Sequence, residues 1–518
     1  AITGLPVSVD AIAGDFDGFN PEVRVSGLSL LVGTGISGVR DPDIADAADS
    51  ALFFDSATVA LDVPRSIWQR RWVLDEFTID SLELTVVQDD SGEWRLGSMV
   101  NSGGATTSLE QLFQAFQRVS RLDLNNVTIN VENRLGDSYR FTNGSATIQN
   151  LGQRHLFHVD VTHDGSDQQI QASLEVQGNQ LASLDGLLHI RLPDGDYSNI
   201  LRSQSIGEAS ISELLGAADL WLQWRQGELL ESVASLDLEA VTLLLPENNS
   251  LTLEAIAGDA RLRRRPGEDG SFEQSAWSLS LDQVTMTHND HFWRPFSLHS
   301  EWQPQENLSL RIDAINLSLL AATALESGFL GDDARAQLLA YAPGGSVRNL
   351  VLNAPLGEAD QIQQTLQLRG NLDNVELGSV RGSPNMWGID GFFELQFDPM
   401  ANFLSGSAEL ESDNFSINIP NVFTRVWDYD YVNGRIDFEV DMSNGQTVIL
   451  DSGVMVAESD AVDGHVQFRS MVKRPNEGER DAELDLFVGV SRFDASQKSL
   501  YLPDGPQVQP NLRNSMEF

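Results

Sequence analysis

The sequence predicts a mainly β protein, an elongated antiparallel sheet with a few short inserted helices, and two observations carry that reading. The first is an eight-residue phrase that keeps returning. It reads VRVSGLSL from Val23, FTIDSLEL from Phe77, LDLNNVTI from Leu122, LDLEAVTL from Leu236, LSLDQVTM from Leu279 and LRIDAINL from Leu310, with weaker copies GSVRNLVL from Gly345 and GNLDNVEL from Gly370. Side chains two apart on a strand share a face, so each phrase holds two apolar pairs. The pairs are three residues apart, which breaks that parity. Both pairs face one core only if the strand kinks or bulges at the central dipeptide. The second observation is texture: from Leu5 to Leu502 the chain is short alternating segments punctuated by Gly, Asn and Asp, with few helical patterns and no low-complexity linker. Repeats at irregular intervals of roughly 25 to 55 residues, with one longer gap, fit a stacked, extended β architecture.

Taken in order, the opening segment reads as two strands around the turn-like Gly14–Pro21. Strands resume near Ala57 and pass through a hairpin signal at Gln88–Glu93 into Trp94–Leu96. Ser108–Val119 is the clearest helix: Ser108 caps it, Gln111 completes a capping box, and Leu109, Leu112, Phe113, Phe116 and Val119 form an apolar stripe suited to lying on a sheet. From Leu122 to Leu192 a meander is expected, with turns at Asn133–Asp137, Asn143–Gly144, Asp164–Gly165 and Gly178–Asn179. Ser210–Leu220 and Leu317–Phe329 read as further short helices, and from Gly344 onward nearly everything reads as strand. Although 518 residues would ordinarily mean about three or four domains, the uniform texture predicts one elongated body over residues 1–518. Arg202–Ser210 is the place where a sub-boundary suggests itself.

Thirty-three basic against 76 acidic residues give a formal charge of −43, which excludes nucleic acid as a partner because phosphate contacts need a basic surface. The same charge disfavours docking on anionic headgroups and fits an acidic surface tuned for solubility. There is no cysteine, compatible with an oxidising compartment. No stretch approaches the roughly 20 apolar residues of a membrane-spanning helix. The chain opens at Ala1 without a Met and runs at once into strand-like sequence, which reads as a processed start that a membrane anchor could precede.

Catalytic and metal chemistry find little support. The acidic turns Gly14–Gly18 and Asp41–Asp43 lack the full ligand series of a calcium loop. His288, His291 and His299 read as incidental surface histidines, since a His-x-x-His pair on a strand points its rings to opposite faces. No nucleophile elbow, phosphate loop or dinucleotide fingerprint is present, and Gly103–Ser108 lacks the lysine of a phosphate loop. The expectation is a non-enzyme without metal or cofactor. What remains is the apolar face. A sheet curled into a trough would leave that face for an apolar ligand, and a lipid chain of some sixteen carbons would gain on the order of 12 kcal/mol at about 0.8 kcal/mol per buried CH2. Periodicity alone leaves a closed sandwich or barrel core equally open.

Several segments, in order along nearly the whole chain, resemble a known family: VSVDAIAGDFDGFNPEVRVSGLSLLV, LDEFTIDSLELTVVQDDSGEWRLGSM, DLWLQWRQGELLESVASLDLEAVTLLLP, APGGSVRNLVLNAP, NMWGIDGFFELQFDP, SDNFSINIPNVF and SQKSLYLP. Together they resemble the N-terminal portion of the YhdP family, one of the AsmA-like inner-membrane proteins of Gram-negative bacteria. The resemblance implies a curled β-groove (taco-like) and a periplasmic chain held at the inner membrane by an N-terminal helix. It further implies a bridge-like conduit for phospholipids, shielding their acyl chains between inner and outer membranes. The anchoring helix is absent from this sequence and the family's chains continue past the YLP segment, so a soluble fragment is expected. Its implied partners are phospholipids, the inner membrane through that helix, and the outer membrane or its proteins at the far end.

Carried onto this chain, the resemblance places the recurring apolar positions in the groove. They are Val23, Val25, Leu28 and Leu30; Phe77, Ile79, Leu82 and Leu84; Leu122, Leu124, Val127 and Ile129; and Leu236, Leu238, Val241 and Leu243. Further along come Leu279, Leu281, Val284 and Met286; Leu310, Ile312, Ile315 and Leu317; Leu350 and Leu352; Leu372, Val375 and Leu377; Phe415 and Ile417; and Ile436, Phe438 and Val440. The competing reading is an assembly factor for outer-membrane proteins acting through β-strand edges. A β-solenoid adhesin or glycan binder would show aromatic platforms in regular register, whereas the ten tryptophans are scattered.

Overall fold

The computed structural model describes residues 7–17, 20–31, 51–61, 63–70, 74–88, 94–96, 117, 119–134, 136–163, 168–179, 183–198, 205–206, 209–245, 249–266, 275–304, 306–326, 330–356, 365–380, 383–443, 445–474 and 481–505. The chain divides into two compact units, Ala1–Leu244 with Thr252–Arg263, and Leu245–Leu251 with Arg264–Phe518. Each is a mainly antiparallel meander, as the alternating segments predict.

In the first unit β1 (Val7–Ser8) and β2 (Ala11–Asp17) both pair with β3 (Asn20–Leu31), which pairs with β4 (Ala51–Leu61). A short helix α1 (Val63–Gln69) leads to β5 (Leu74–Gln88), which pairs with β4 and forms a hairpin with β6 (Trp94–Leu96). Then β7 (Val119–Glu132) pairs with β5 in parallel, an exception that the sequence reading does not anticipate. Residues 97–118 give the connection the length a parallel crossover requires. Antiparallel pairing resumes through β8 (Ser138–Leu151), β9 (Arg154–His163), β10 (Gln169–Gln177) and β11 (Asp185–Asp196). After the short β12 (Ser205–Ile206), β13 (Ala209–Arg225) lies between β11 and β14 (Glu228–Leu244), and β15 (Ser250–Arg265) follows.

In the second unit β16 (Ala276–His288), β17 (His291–Gln303) and β18 (Asn307–Asn316) pair in succession. Two helices, α2 (Leu317–Glu326) and α3 (Asp332–Tyr341), are inserted before β19 (Gly344–Pro355) returns to pair with β18. The meander continues through β20 (Leu366–Leu377), β21 (Asn385–Asp398), β22 (Phe403–Asn418) and β23 (Trp427–Asp441). β24 (Gln446–Ser452) and β25 (Met455–Glu458) divide the next position, both pairing with β23 and with β26 (Val462–Arg474), and β27 (Asp481–Phe493) follows.

Several expectations are corrected. Ser210–Leu220, expected as a helix, is the body of β13. Its helix-like spacing comes from bulges: Ile211 and Leu214, three apart, stand opposite Leu243 and Val241, two apart. At Gly216 the backbone has φ +125 and a Cβ would meet the Leu238 Cα at 2.5 Å, so only glycine fits this second break in parity. Asn143–Gly144 is no turn but a kink inside β8, with Asn143 at φ 51. The Asn133–Asp137 turn forms as expected, closed by Asn133 N–H to the Asp137 carbonyl at 2.9 Å. The predicted Leu317–Phe329 helix is present as α2, whereas α1 and α3 carry too short or too polar a pattern to be read. The helix expected at Ser108–Val119 lies outside the described residues, except that Gln117 is in a turn and Val119 opens β7. Asp41–Asp43, Asp164–Gly165 and Gly103–Ser108 also lie outside them. His288, expected at the surface, is buried, with Nε2 at 2.7 Å from Glu326 Oε2 at the end of α2.

Candidate functional site

The kink that the repeated phrase requires is a single residue in the left-handed region. In six of the eight copies the second residue of the central dipeptide has positive φ: Gly27 (61), Ser81 (63), Asn126 (53), Gln283 (51), Asn349 (50) and Asn374 (49). Asparagine and glycine dominate because they enter this region at least cost. Of the other two copies, LDLEAVTL takes its step by a bulge opposite Gly216, and LRIDAINL pairs without a register shift. A left-handed residue turns the strand over, so apolar side chains three apart return to one face. Replacing Asn126 by Gly is expected to leave stability nearly unchanged. Asn126→Val is expected to cost about 2 kcal/mol, read from urea denaturation, because a branched side chain resists positive φ.

The polar character of the dipeptides has its own cause. At the kinks, side chains take over bonds that the backbone ladder would make. Gln283 N–H donates to Ser297 Oγ (3.3 Å) and Ser297 N–H to Asp313 Oδ1 (2.8 Å). In the same way Asn374 N–H donates to Asp390 Oδ1 (2.7 Å) and Asp390 N–H to Ser412 Oγ (2.8 Å), with Ser412 fully buried. Amides that lose their ladder partners at a kink need other acceptors, and these side chains supply them.

Register carries one apolar face across the first unit. Ile12 stands opposite Val25, Val25 opposite Ala57, Ala57 opposite Ile79, and Ile79 beside Leu124 in the parallel pair. From β7 the row passes Leu122, Ile148, Phe157, Leu174, Leu188 and Leu222, and Leu236 joins through Ala218 and Leu192. Ile79, Leu82, Leu122, Val127 and Ile148 form a buried cluster with Phe77, Leu124, Ile129 and Phe157 packed against it, so both halves of a kinked phrase do meet one core. In the second unit a cluster of Val375, Ile389, Phe415 and Val432 is joined by Leu317, Leu372, Leu377 and Ile417. Cross-strand pairs such as Ile312–Leu350, Leu310–Leu352, Leu352–Leu368 and Leu368–Leu395 extend that face, as do Phe438–Leu450 and Val440–Val448.

The sequence-assigned residues divide by exposure. Ile79, Leu82, Leu122, Val127, Leu238, Val284, Ile312, Val375 and Phe415 are buried. Val23 is exposed at 41%, and most of the others are half-buried, Val25, Leu236, Leu281, Leu310, Leu352, Ile436, Phe438 and Val440 among them. The side chains of Leu28, Leu30 and Leu84 lie outside the described residues, though their backbones are paired in β3 and β5. Leu317 differs from the rest in being supplied by α2 rather than by a strand. The phrase does not point to Phe157, Leu174 and Leu188, whose strands alternate plainly, nor to Leu222 and Leu395, whose strands break parity without carrying it. For the first three the signal was simple period two, as in QIQASLEVQ from Gln169.

The opposite face is polar and internally paired. Arg121 Nε lies 2.7 Å from Asp123, whose other oxygen accepts from Thr147 at 2.8 Å. Desolvation raises the Asp123 carboxyl, and the hydrogen bonds from Arg121 and Thr147 outweigh it, holding it below the usual carboxylate range. Arg154–Glu175 and Arg435–Glu409 repeat the arrangement at 2.7 and 3.0 Å. A concavity of about 850 Å³ in the first unit is lined largely by polar groups, Gln171, Arg191, Asp219 and Asp237 among them, and offers an acyl chain little. Among the described residues no group of three or more His, Asp or Glu could hold a metal ion, and no helix is long and apolar enough to cross a membrane.

A kinked meander whose strands bring apolar residues from both sides of a parity break onto one face, as in the cluster of each unit, defines a class of β proteins organised by that face. The chain belongs to the YhdP family, whose model, described as YhdP protein, matches residues 1–514. No curated protein and no solved structure matches it.

Proposed function

We propose that this chain is a segment of a lipid conduit, shielding phospholipid acyl chains on its apolar face during transit across the periplasm between inner and outer membranes. The observation that carries the reading is the half-buried state of that face. Residues such as Leu188, Leu222, Leu310 and Phe438 are register-matched to apolar neighbours yet retain solvent exposure. Covering them with methylenes gains about 0.8 kcal/mol per CH2, and a uniform lining keeps that gain as the chain slides. Family membership supports the periplasmic setting and an inner-membrane attachment through an N-terminal helix, with the outer membrane or its proteins receiving the cargo. No side chain is assigned a catalytic, cofactor or metal role. Native mass spectrometry with lipid extraction, on protein from a Gram-negative host, tests the proposal. Several phospholipids per chain, retained through delipidating washes, are expected; a folded, lipid-free chain would sink it.

One observation favours a second reading. On β27, Leu484 (65%), Leu486 (59%), Val488 (58%) and Val490 (55%) are exposed, and among the described residues this strand pairs only with β26. An apolar open edge is what an assembly factor for outer-membrane proteins would use to template a strand. The lipid-free outcome moves that reading ahead.

A further inference from the structure

Helix α2 reads LSLLAATALE, apolar on nearly every side, and none of its residues is buried. A helix of that composition ordinarily sits inside a core. Here it spans one end of the sheet. Its first turn is fixed: Asn316, the last residue of β18, caps it by accepting from the Leu319 N–H at 2.9 Å, and Ser318 Oγ donates to the Pro343 carbonyl at 3.3 Å. Leu317 packs on the cluster of Val375, Ile389, Phe415 and Val432. Its last residue reaches β16, where Glu326 Oε2 meets His288 Nε2 at 2.7 Å and accepts from Asn289 Nδ2. Ten residues of helix are about 15 Å long and two strand spacings about 10 Å, so α2 runs from β18 across the start of β17 to the end of β16.

The side it covers is the apolar one. Beyond the kink at Gln283, Val284, Met286 and His288 alternate onto one face, and Met286 stands opposite Trp293. At this end of the strands the face is sealed: His288 is 4% exposed, Trp293 7% and Val284 9%. Toward the other end of the same strands, Leu279, Leu281, Leu298 and Leu310 are half-buried. The two attachments of α2 differ in kind. Its base continues from β18, capped and packed, whereas its far end is held by a carboxylate 46% exposed, and contacts of exposed carboxylates are worth little and exchange readily for water. Leu320, 40% exposed, leaves the helix apolar away from the sheet as well as toward it.

We propose that α2 is a lid on the apolar face of the second unit. With Glu326 on His288 and Asn289 it closes the β16–β18 end of the face; when that contact breaks, the helix swings on Asn316 and admits a phospholipid acyl chain to the surface it covered. The exchange replaces one apolar occupant by another, so the face is covered in both states and the latch is what has to be broken. The inference rests on the conduit reading and adds to it a point of entry and the contact that controls it.

The chain has no cysteine, so Asn289→Cys with Glu326→Cys introduces the only two thiols. Half of the delipidated whole chain is bridged with a short bismaleimide and half is capped with N-ethylmaleimide; both have lost the native latch, and only the first is tied shut. Uptake of a fluorescent phosphatidylethanolamine from vesicles should be at least about fivefold slower in the bridged form, at equal thermal melts. Hydrogen exchange is read beside it. Glu326→Ala should speed exchange of the α2 amides about tenfold and leave those of β18 and β19 unchanged, because Glu326 is at the surface and its loss frees the lid alone. Equal uptake by bridged and capped chains, or α2 exchange unmoved by Glu326→Ala, overturns the lid and leaves the conduit reading standing. A wild type that takes up no phospholipid overturns the conduit reading and the lid with it. If the cysteine pair does not fold, the exchange measurement decides alone.

Discussion

Aspartate at Leu188 and Leu220 together is expected to strip co-purifying phospholipid from the chain by about tenfold or more, leaving its circular dichroism unchanged. The two positions are diagonal neighbours on the apolar face: Leu188 is opposite Leu222, and Ile190 opposite Leu220. Both are half-buried and lie outside the buried clusters. A carboxylate there stays hydrated in the free protein, but an acyl chain laid over it would remove that water, and desolvating a charge costs several kcal/mol. Aspartate at Leu122, only 3% exposed, would instead unfold the first unit and report nothing about ligand. Lipid extraction of the Leu188/Leu220 variant beside the wild type reads the result. Undiminished lipid would place the cargo elsewhere, and an unfolded variant would mean that this part of the face is closed core.

The second large effect is expected at Gly391. Its backbone has φ +151, and a Cβ built there would meet the Glu409 carbonyl oxygen at 2.0 Å. The clash is with the backbone of the paired strand and no rotamer relieves it, so Gly391→Ala must pull β21 from β22 where Gly391 is opposite Leu410. We expect a loss of about 3 kcal/mol or more by urea denaturation. Gly453→Ala is the matched control: the nearest atom to its Cβ would be the Arg435 carbonyl at 3.8 Å, an ordinary contact. It should change stability by about 0.5 kcal/mol at most. Equal effects at the two positions would mean that the kinked backbone gives way more easily than its geometry implies.

How much of this was legible in the sequence varies by element. The kinked strands could be read from residues alone because a left-handed dipeptide leaves a mark, an odd step between apolar pairs, that neither an ordinary strand nor a helix produces. The same device misled at Ser210–Leu220, where two parity breaks close together imitate helical spacing and only the partners on β14 reveal the strand. The parallel pairing of β5 with β7 depends on which strands meet in space, and no local pattern encodes it. For the apolar face, phrase-bearing strands gave away their lining residues, whereas the plain alternation of β9, β10 and β11 did not say which parity would be shared. His288 looked incidental because its partner, Glu326, is 38 residues further on, across an inserted helix. α1 escaped notice because seven residues are too few to show a period.

The kinks of neighbouring strands line up. Ser56 is opposite both Ser26 and Asp80, Phe54 is opposite both Leu28 and Leu82, and Asp80 and Glu83 pair with Asn125 and Thr128. Gly27, Ser81 and Asn126 therefore fall on a single crease running from strand to strand. Along the comparable line in the second unit, the backbone amides of Gln283 and Ser297 donate to the side chains of Ser297 and Asp313 in place of backbone carbonyls. Such a crease is drawn like the line of a piano hinge: the change of strand parity is gathered along it, and paired ladders close on either side.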